Sequence, residues 1–110
     1  MGPEIELLIY HRGRSSPFSD WLGSLEDPRA VAIMRARLNR IRLGNFGDCR
    51  SVGGGVQELR IDYGPGFRVY FGRRSSLVLL LLGGRKKSQA RDIEAAQKLW
   101  REYLDVKNNE

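Results

Sequence analysis

Arg60, Arg68, Tyr70 and Lys86 are the residues whose types and spacing suit chemistry on a phosphodiester. Arg60 and Arg68 stand on either side of Gly64-Pro65-Gly66, so a turn there pairs their strands and aims both guanidiniums off the same face. Cleavage of RNA by its own 2′-OH needs a proton acceptor, cations for the non-bridging oxygens and a proton donor for the departing 5′ oxygen. Arginine's planar fork suits the second task. Tyrosine and lysine, with ordinary pKa values of about 10 and 10.4, suit the first or third only if shifted, and closely spaced cations would lower them. Arg60 and Arg68 are therefore expected to clamp a phosphate, Tyr70 to stack on a base or supply a proton, and Lys86 to act as an active-site cation. On this reading Arg68→Ala spares folding. Arg50, Arg73, Arg74, Lys87 and Gln89 complete the set as RNA-binding residues. A plainer alternative stands beside each role. The arginines could simply satisfy Glu58 or Asp62 in surface ion pairs, Tyr70 could cover the sheet, and the lysines could solubilise a loop.

The whole chain bounds these readings. At 110 residues it is expected to be a single domain, 1–110, with one modest core. Its net charge is +6, and 15 of the 19 basic residues are arginine, which points to an anionic partner. A single cysteine, Cys49, excludes an internal disulfide framework and a cysteine zinc cluster, and one histidine argues against a multi-histidine metal site. No metal or cofactor is expected. The longest apolar run, Leu77 to Leu82, is six residues against the roughly 20 that a membrane helix needs. With no signal-peptide pattern at the N-terminus, a cytoplasmic location and no membrane partner are expected. The phosphate-binding GxxxxGK[ST] loop is absent, and GGGVQE opens a strand rather than a helix, so it is not a dinucleotide site.

The elements that must position these residues follow from periodicity. Glu4 to Tyr10 reads as a first strand with at least one buried face. Ser16-Pro17 starts a short helix to about Leu25, and Asp27-Pro28 a longer one to about Leu43 with Val31, Met34, Leu38 and Ile41 as its apolar stripe. Cys49 to Val52, Val56 to Tyr63, Phe67 to Arg73 and Leu77 to Leu82 read as successive strands, with Gly83-Gly84 closing the last. Leu59 and Ile61, like Phe67, Val69 and Phe71, alternate with Glu58, Arg60, Arg68 and Tyr70. Ser88 is expected to cap a final helix to about Leu104, with a frayed tail after it. The expected fold class is α+β, with an antiparallel sheet, an N-terminal helical pair and a C-terminal helix. The helices lie on one face, and the other carries Arg60, Arg68 and Tyr70.

The segments FSDWLGSLEDPRA, ARLNRIRLGNFGDCRSVGGGVQELRIDYGPGFRVYF and VLLLLGGRKKSQARDIEAAQKLW, in that order, resemble the HigB-type branch of the RelE/ParE toxin superfamily, the addiction-module killer proteins. The resemblance spans roughly Glu4 to Tyr103. It implies a RelE/ParE-like fold and the toxin of a type II toxin–antitoxin system. It also implies translation inhibition by a ribosome-dependent, metal-independent mRNA endoribonuclease. The implied partners are a helix-turn-helix antitoxin, the ribosome and mRNA. Arg50, Arg60, Arg68, Tyr70, Lys86 and Gln89 match the family's positions. Where the family has an acidic residue before the lysine and serine after it, this chain has Arg85 and Lys87, so GGDKS reads GGRKK. Two alternatives stay open: a ParE-like toxin acting on DNA gyrase, because one scaffold serves both targets, and a non-enzymatic RNA-binding module.

Overall fold

The computed structural model describes residues 4–110. Strand β1 (Glu6–Ile9) leads into helices α1 (Pro17–Ser24) and α2 (Pro28–Arg42). A meander of four strands follows, β2 (Cys49–Gly53), β3 (Val56–Ile61), β4 (Phe67–Arg74) and β5 (Leu77–Arg85), and the chain ends in α3 (Gln89–Asn108) after one 3₁₀ turn at Lys86–Ser88. Both early helices begin as their sequences dictate. The Ser16 hydroxyl accepts from the Ser19 amide and the Asp27 carboxylate from the Arg29 amide, each with proline in the first turn.

The sheet order is β1-β5-β4-β3-β2. The run from β2 to β5 is antiparallel throughout, as expected. β1 is not, because it lies parallel to β5, so the sheet is mixed and the fold is α+β. The two helices carry the chain from β1 to the far edge. The four-strand meander then walks back, and its last strand arrives beside β1 in the same direction.

The expected one-sided arrangement of helices is also corrected. α1 and α2 cover one face, where Phe18, Met34 and Ile41 pack on Leu59, Ile61, Val69, Phe71 and Leu80. α3 covers part of the other, where Leu99 and Trp100 pack on Val56, Tyr70, Leu79 and Leu81. Two apolar surfaces demand two layers of helix. Gly72 makes the second possible, since a Cβ there would lie 2.1 Å from Trp100. Gly83 and Gly84 do not end β5, which runs on to Arg85. They are slots instead: a Cβ on Gly83 would strike Trp21 of α1, and one on Gly84 would strike Asp92 of α3.

Ser88 does not cap α3 with its side chain, because its hydroxyl meets Asp92 and the Arg85 carbonyl. The helix itself continues past Leu104 to Asn108. Among the described residues no helix is long and apolar enough to cross a membrane.

Candidate functional site

The register places the candidate residues in two neighbouring rows on the α3 side of the sheet. Arg50, Glu58, Tyr70 and Leu82 are paired across β2 to β5. In the next row Arg60 is opposite Arg68, and Arg68 is opposite Gly84. Two like charges directly opposed across strands repel. Glu58 offsets that repulsion. Its side chain is completely buried, and its Oε1 lies 3.1 Å from Arg50 Nε, 3.8 Å from Arg60 Nε and 3.9 Å from Arg68 Nε. Gln89, at the start of α3, donates from Nε2 to the other carboxylate oxygen at 2.8 Å. A buried carboxylate without such partners would be strongly unfavourable. Glu58 is thus the hub of the cluster. Sequence reasoning had it only as an ion-pair partner, although its place in the alternation, level with Arg60, was the available signal.

A cleft of about 440 Å³ opens beside the arginine row, lined by Arg60, Arg68, Lys86, Asp48, Asp62 and the Gly64-Pro65-Gly66 turn. The turn needs its glycines, with Gly64 at φ +56° and Gly66 at φ +76°. The Gly66 carbonyl accepts from the Lys86 amide at 2.8 Å, which ties the end of β5 to the start of β4. A Cβ on Gly66 would sit 3.4 Å from both Arg68 Nη1 and Lys86 Cβ, so the turn packs between the Arg68 guanidinium and the root of the Lys86 side chain. Asp48 reaches the cleft because its carbonyl accepts from the Arg60 amide at 2.9 Å. Asp48 and Asp62 give the cleft two carboxylates that sequence reasoning did not select. For Asp62 the alternation of β3 was a sufficient signal, and for Asp48 only the pairing of β2 with β3 reveals it.

The expected residues therefore separate into groups. Arg60, Arg68 and Lys86 share the cleft, and Arg50 joins them through Glu58. Arg60 and Arg50 keep 39% and 52% of their side chains exposed, whereas Arg68 keeps 5%. Arg68 donates from Nη1 to the Phe67 carbonyl at 3.2 Å, while its Nε is buried facing Glu58 at 3.9 Å and makes no hydrogen bond. Its burial also corrects the expectation that Arg68→Ala spares folding, since that change strips a cation from a buried carboxylate.

Tyr70 is corrected more sharply. It is completely buried beneath α3, and its hydroxyl has no hydrogen-bond partner. Burial first, and the negative charge of Glu58 second, push its ionisation well above the ordinary phenol range. Arg68 pulls the other way and loses. Tyr70 is closed to a base or a phosphate and packs the sheet instead.

Gln89 faces Glu58 rather than the cleft. Arg73 and Arg74 lie at the opposite end of β4, about 17 Å along the strand from Arg68 at roughly 3.3 Å per residue. Arg73 stacks over Phe46, 4.5 Å from the ring centroid. Lys87 lines a separate hollow with Arg85 and Arg91. His11 is exposed at the end of β1, far from the cleft in the sheet order. Among the described residues no group of three or more His, Cys, Asp or Glu could hold a metal ion.

Comparison with known proteins adds one relationship. The chain is 48% identical over 86 residues to an uncharacterized protein of Haemophilus influenzae strain Rd, a match covering 77% of this chain and 87% of the other. No family model matches, and no solved structure does. At that identity and coverage, the chain belongs to the same protein family as the Haemophilus influenzae protein.

Proposed function

We propose that the cleft binds a phosphodiester of RNA and that the protein is a metal-independent endoribonuclease. It would be the toxin of a HigB-type toxin–antitoxin pair, acting on mRNA in the ribosomal A site. The observation that carries this reading is the placement of Arg60, Arg68 and Lys86 around one open cleft that also contains two carboxylates. The motif resemblance set out above supports the same reading, including the RelE/ParE-like fold, the cytoplasmic setting and a helix-turn-helix antitoxin as partner.

In this proposal Arg60 and Arg68 hold the non-bridging oxygens as charge gathers on them. A cleft carboxylate, Asp48 or Asp62, accepts the 2′-OH proton. The 2′ oxygen then bonds to phosphorus as the bond to the 5′ oxygen breaks, and the Lys86 ammonium protonates the departing oxygen. The products are a 2′,3′-cyclic phosphate and a 5′-hydroxyl. Lys86 rather than Tyr70 is the proton donor, because Tyr70 is buried. Arg50 guides the strand from the exposed rim, and Gln89 acts indirectly by holding Glu58.

The test is expression with and without any helix-turn-helix gene adjacent to this one, read by primer extension on cellular messages. Discrete cuts that vanish in Lys86→Ala support the reading, and intact messages with DNA damage would point to gyrase instead. One observation favours a second reading, a non-cleaving RNA-binding module: no histidine lines the cleft, so no group there has an ordinary pKa near neutrality. That reading expects tight, salt-dependent binding of RNA without a cut product.

A further inference from the structure

The free edge of β1 lies away from the cleft, at the other end of the sheet order. β1 is a terminal strand, paired on one side only by β5. The Glu6 and Tyr10 amides turn inward to the Ser76 and Leu80 carbonyls. By alternation the backbone groups of Leu7 and Ile9 face outward. Native proteins ordinarily blunt such an edge with charge, proline or a bulge, but after Glu6 at its start this strand reads Leu7-Leu8-Ile9. Leu8 is 44% exposed and Ile9 37%, and Val106 of α3 beside them is 61% exposed. An apolar hollow flanks the strand on each face of the sheet. One, of about 600 Å³, lies between Leu8, Tyr10, Tyr103 and Val106, and the other, of about 290 Å³, between Leu7, Ile9, Phe18 and Leu38, with Arg35 and Arg42 also lining it.

We propose that this edge pairs with the β1 edge of a second copy of the chain, joining two five-stranded sheets into one. A sixth strand would send alternate side chains into the two hollows, so the strand that fits must be apolar on both faces. Few strands are, because most alternate apolar and polar residues. β1 meets the requirement over Leu7-Leu8-Ile9, with Glu6 its one charge. Its charges also select a second copy over an arbitrary strand. Glu4 and Glu6 precede the apolar run, and His11 and Arg12 follow it. Antiparallel pairing about a twofold axis sets acid against base at both ends. Hydrogen-bonded pairing of Leu7 with Ile9 of the second copy centres the axis on Leu8. Glu4 then lies opposite Arg12, which also pairs with Glu102 of its own α3. The two Leu8 side chains meet in a non-hydrogen-bonded pair, where β-carbons approach closely.

Light scattering and sedimentation of the full chain over a range of concentrations test this. The expected result is a species of twice the chain mass that dissociates about tenfold or more readily in Leu8→Lys, with an unchanged circular dichroism spectrum because Leu8 is exposed. In a Cys49→Ser background, Leu8→Cys is expected to form a disulfide-linked dimer on mild oxidation, which reports the register directly. A chain that stays monomeric at every concentration would overturn the proposal and leave the edge to a strand of a different protein. A dimer that Leu8→Lys leaves intact would overturn it equally. Neither outcome bears on RNA cleavage, because Leu8 lies outside the cleft.

Discussion

Gln89 Nε2 donates to Glu58 Oε2 at 2.8 Å, joining the first residue of the last helix to a completely buried carboxylate in the middle of the sheet. The other oxygen of that carboxylate faces Arg50, Arg60 and Arg68. One acidic side chain thereby holds three basic ones in a defined fan, and α3 holds the acid. The cleft's arginines are arranged before any ligand arrives, which is what transition-state stabilisation by fixed charges requires.

Removing Glu58 is expected to destabilise the fold as well as the site. Glu58→Ala leaves Arg68 buried without its counter-charge, at a cost of about 3 kcal/mol by the usual penalty for breaking a buried pair. Arg50 and Arg60 can turn to solvent and add little. Urea unfolding measures the loss. Glu58→Gln, which keeps the shape and loses the charge, is expected to fall between the wild type and Glu58→Ala.

Tyr70→Phe is expected to be neutral or to stabilise by up to about 1 kcal/mol, because it deletes a buried hydroxyl with no partner. RNA cleavage by Tyr70→Phe is expected within about twofold of wild type. A loss of about 100-fold, the usual effect of removing a general acid or base, would return Tyr70 to the chemistry.

The same burial sets an alkaline limit on stability. Tyr70 ionises at higher pH folded than unfolded, since its phenol is buried beside Glu58. Its contribution to stability is therefore full below the ordinary phenol pKa of about 10 and is lost as pH rises above it towards the folded value. Tyrosinate absorbance should show a component, assigned to Tyr70 by its loss in Tyr70→Phe, that appears only as the far-ultraviolet signal is lost. Cys49 follows the same logic. Burial pushes its thiol up to about 11, so alkylation near neutral pH should be much slower in the native protein than in urea.

Gly72→Ala is expected to cost at least about 1–3 kcal/mol, the usual range for overpacking, because the added methyl would meet the Trp100 ring at 2.1 Å. Thermal unfolding measures it, and loss of the α3 packing should appear as a red-shifted tryptophan emission.

Much of this architecture was legible in the residues. The alternation of Glu58-Leu59-Arg60-Ile61 and of Phe67-Arg68-Val69-Tyr70 assigned each side chain to its face of the sheet, and the GPG turn put Arg60 and Arg68 on adjacent antiparallel strands, where the register sets them directly opposite. Alternation tells which face a residue takes but not what covers that face, so Tyr70 looked open when α3 lies over it. Gly83-Gly84 looked like punctuation because a glycine pair usually ends a strand. Only the helices on both sides show that these positions must lack a Cβ. The parallel pairing of β1 with β5 joins residues some seventy positions apart and leaves no local mark. Arg73 and Arg74 sat near the site in sequence, but strand geometry carries them to the far end of β4.

The most direct test of the central claim is cleavage of mRNA on translating ribosomes by the purified protein, in a chelator specific for transition metals so that ribosomal magnesium is spared, with wild type, Arg60→Ala, Lys86→Ala and Arg74→Ala in parallel. Arg60 and Lys86 are exposed enough for these changes to leave the fold intact. The expected result is discrete cuts by the wild type and by Arg74→Ala, with the rate reduced about 100-fold or more in the two cleft variants. Intact messages with the wild-type protein, or equal cleavage by all four, would contradict the assignment of the Arg60–Arg68–Lys86 cleft as a ribonuclease site.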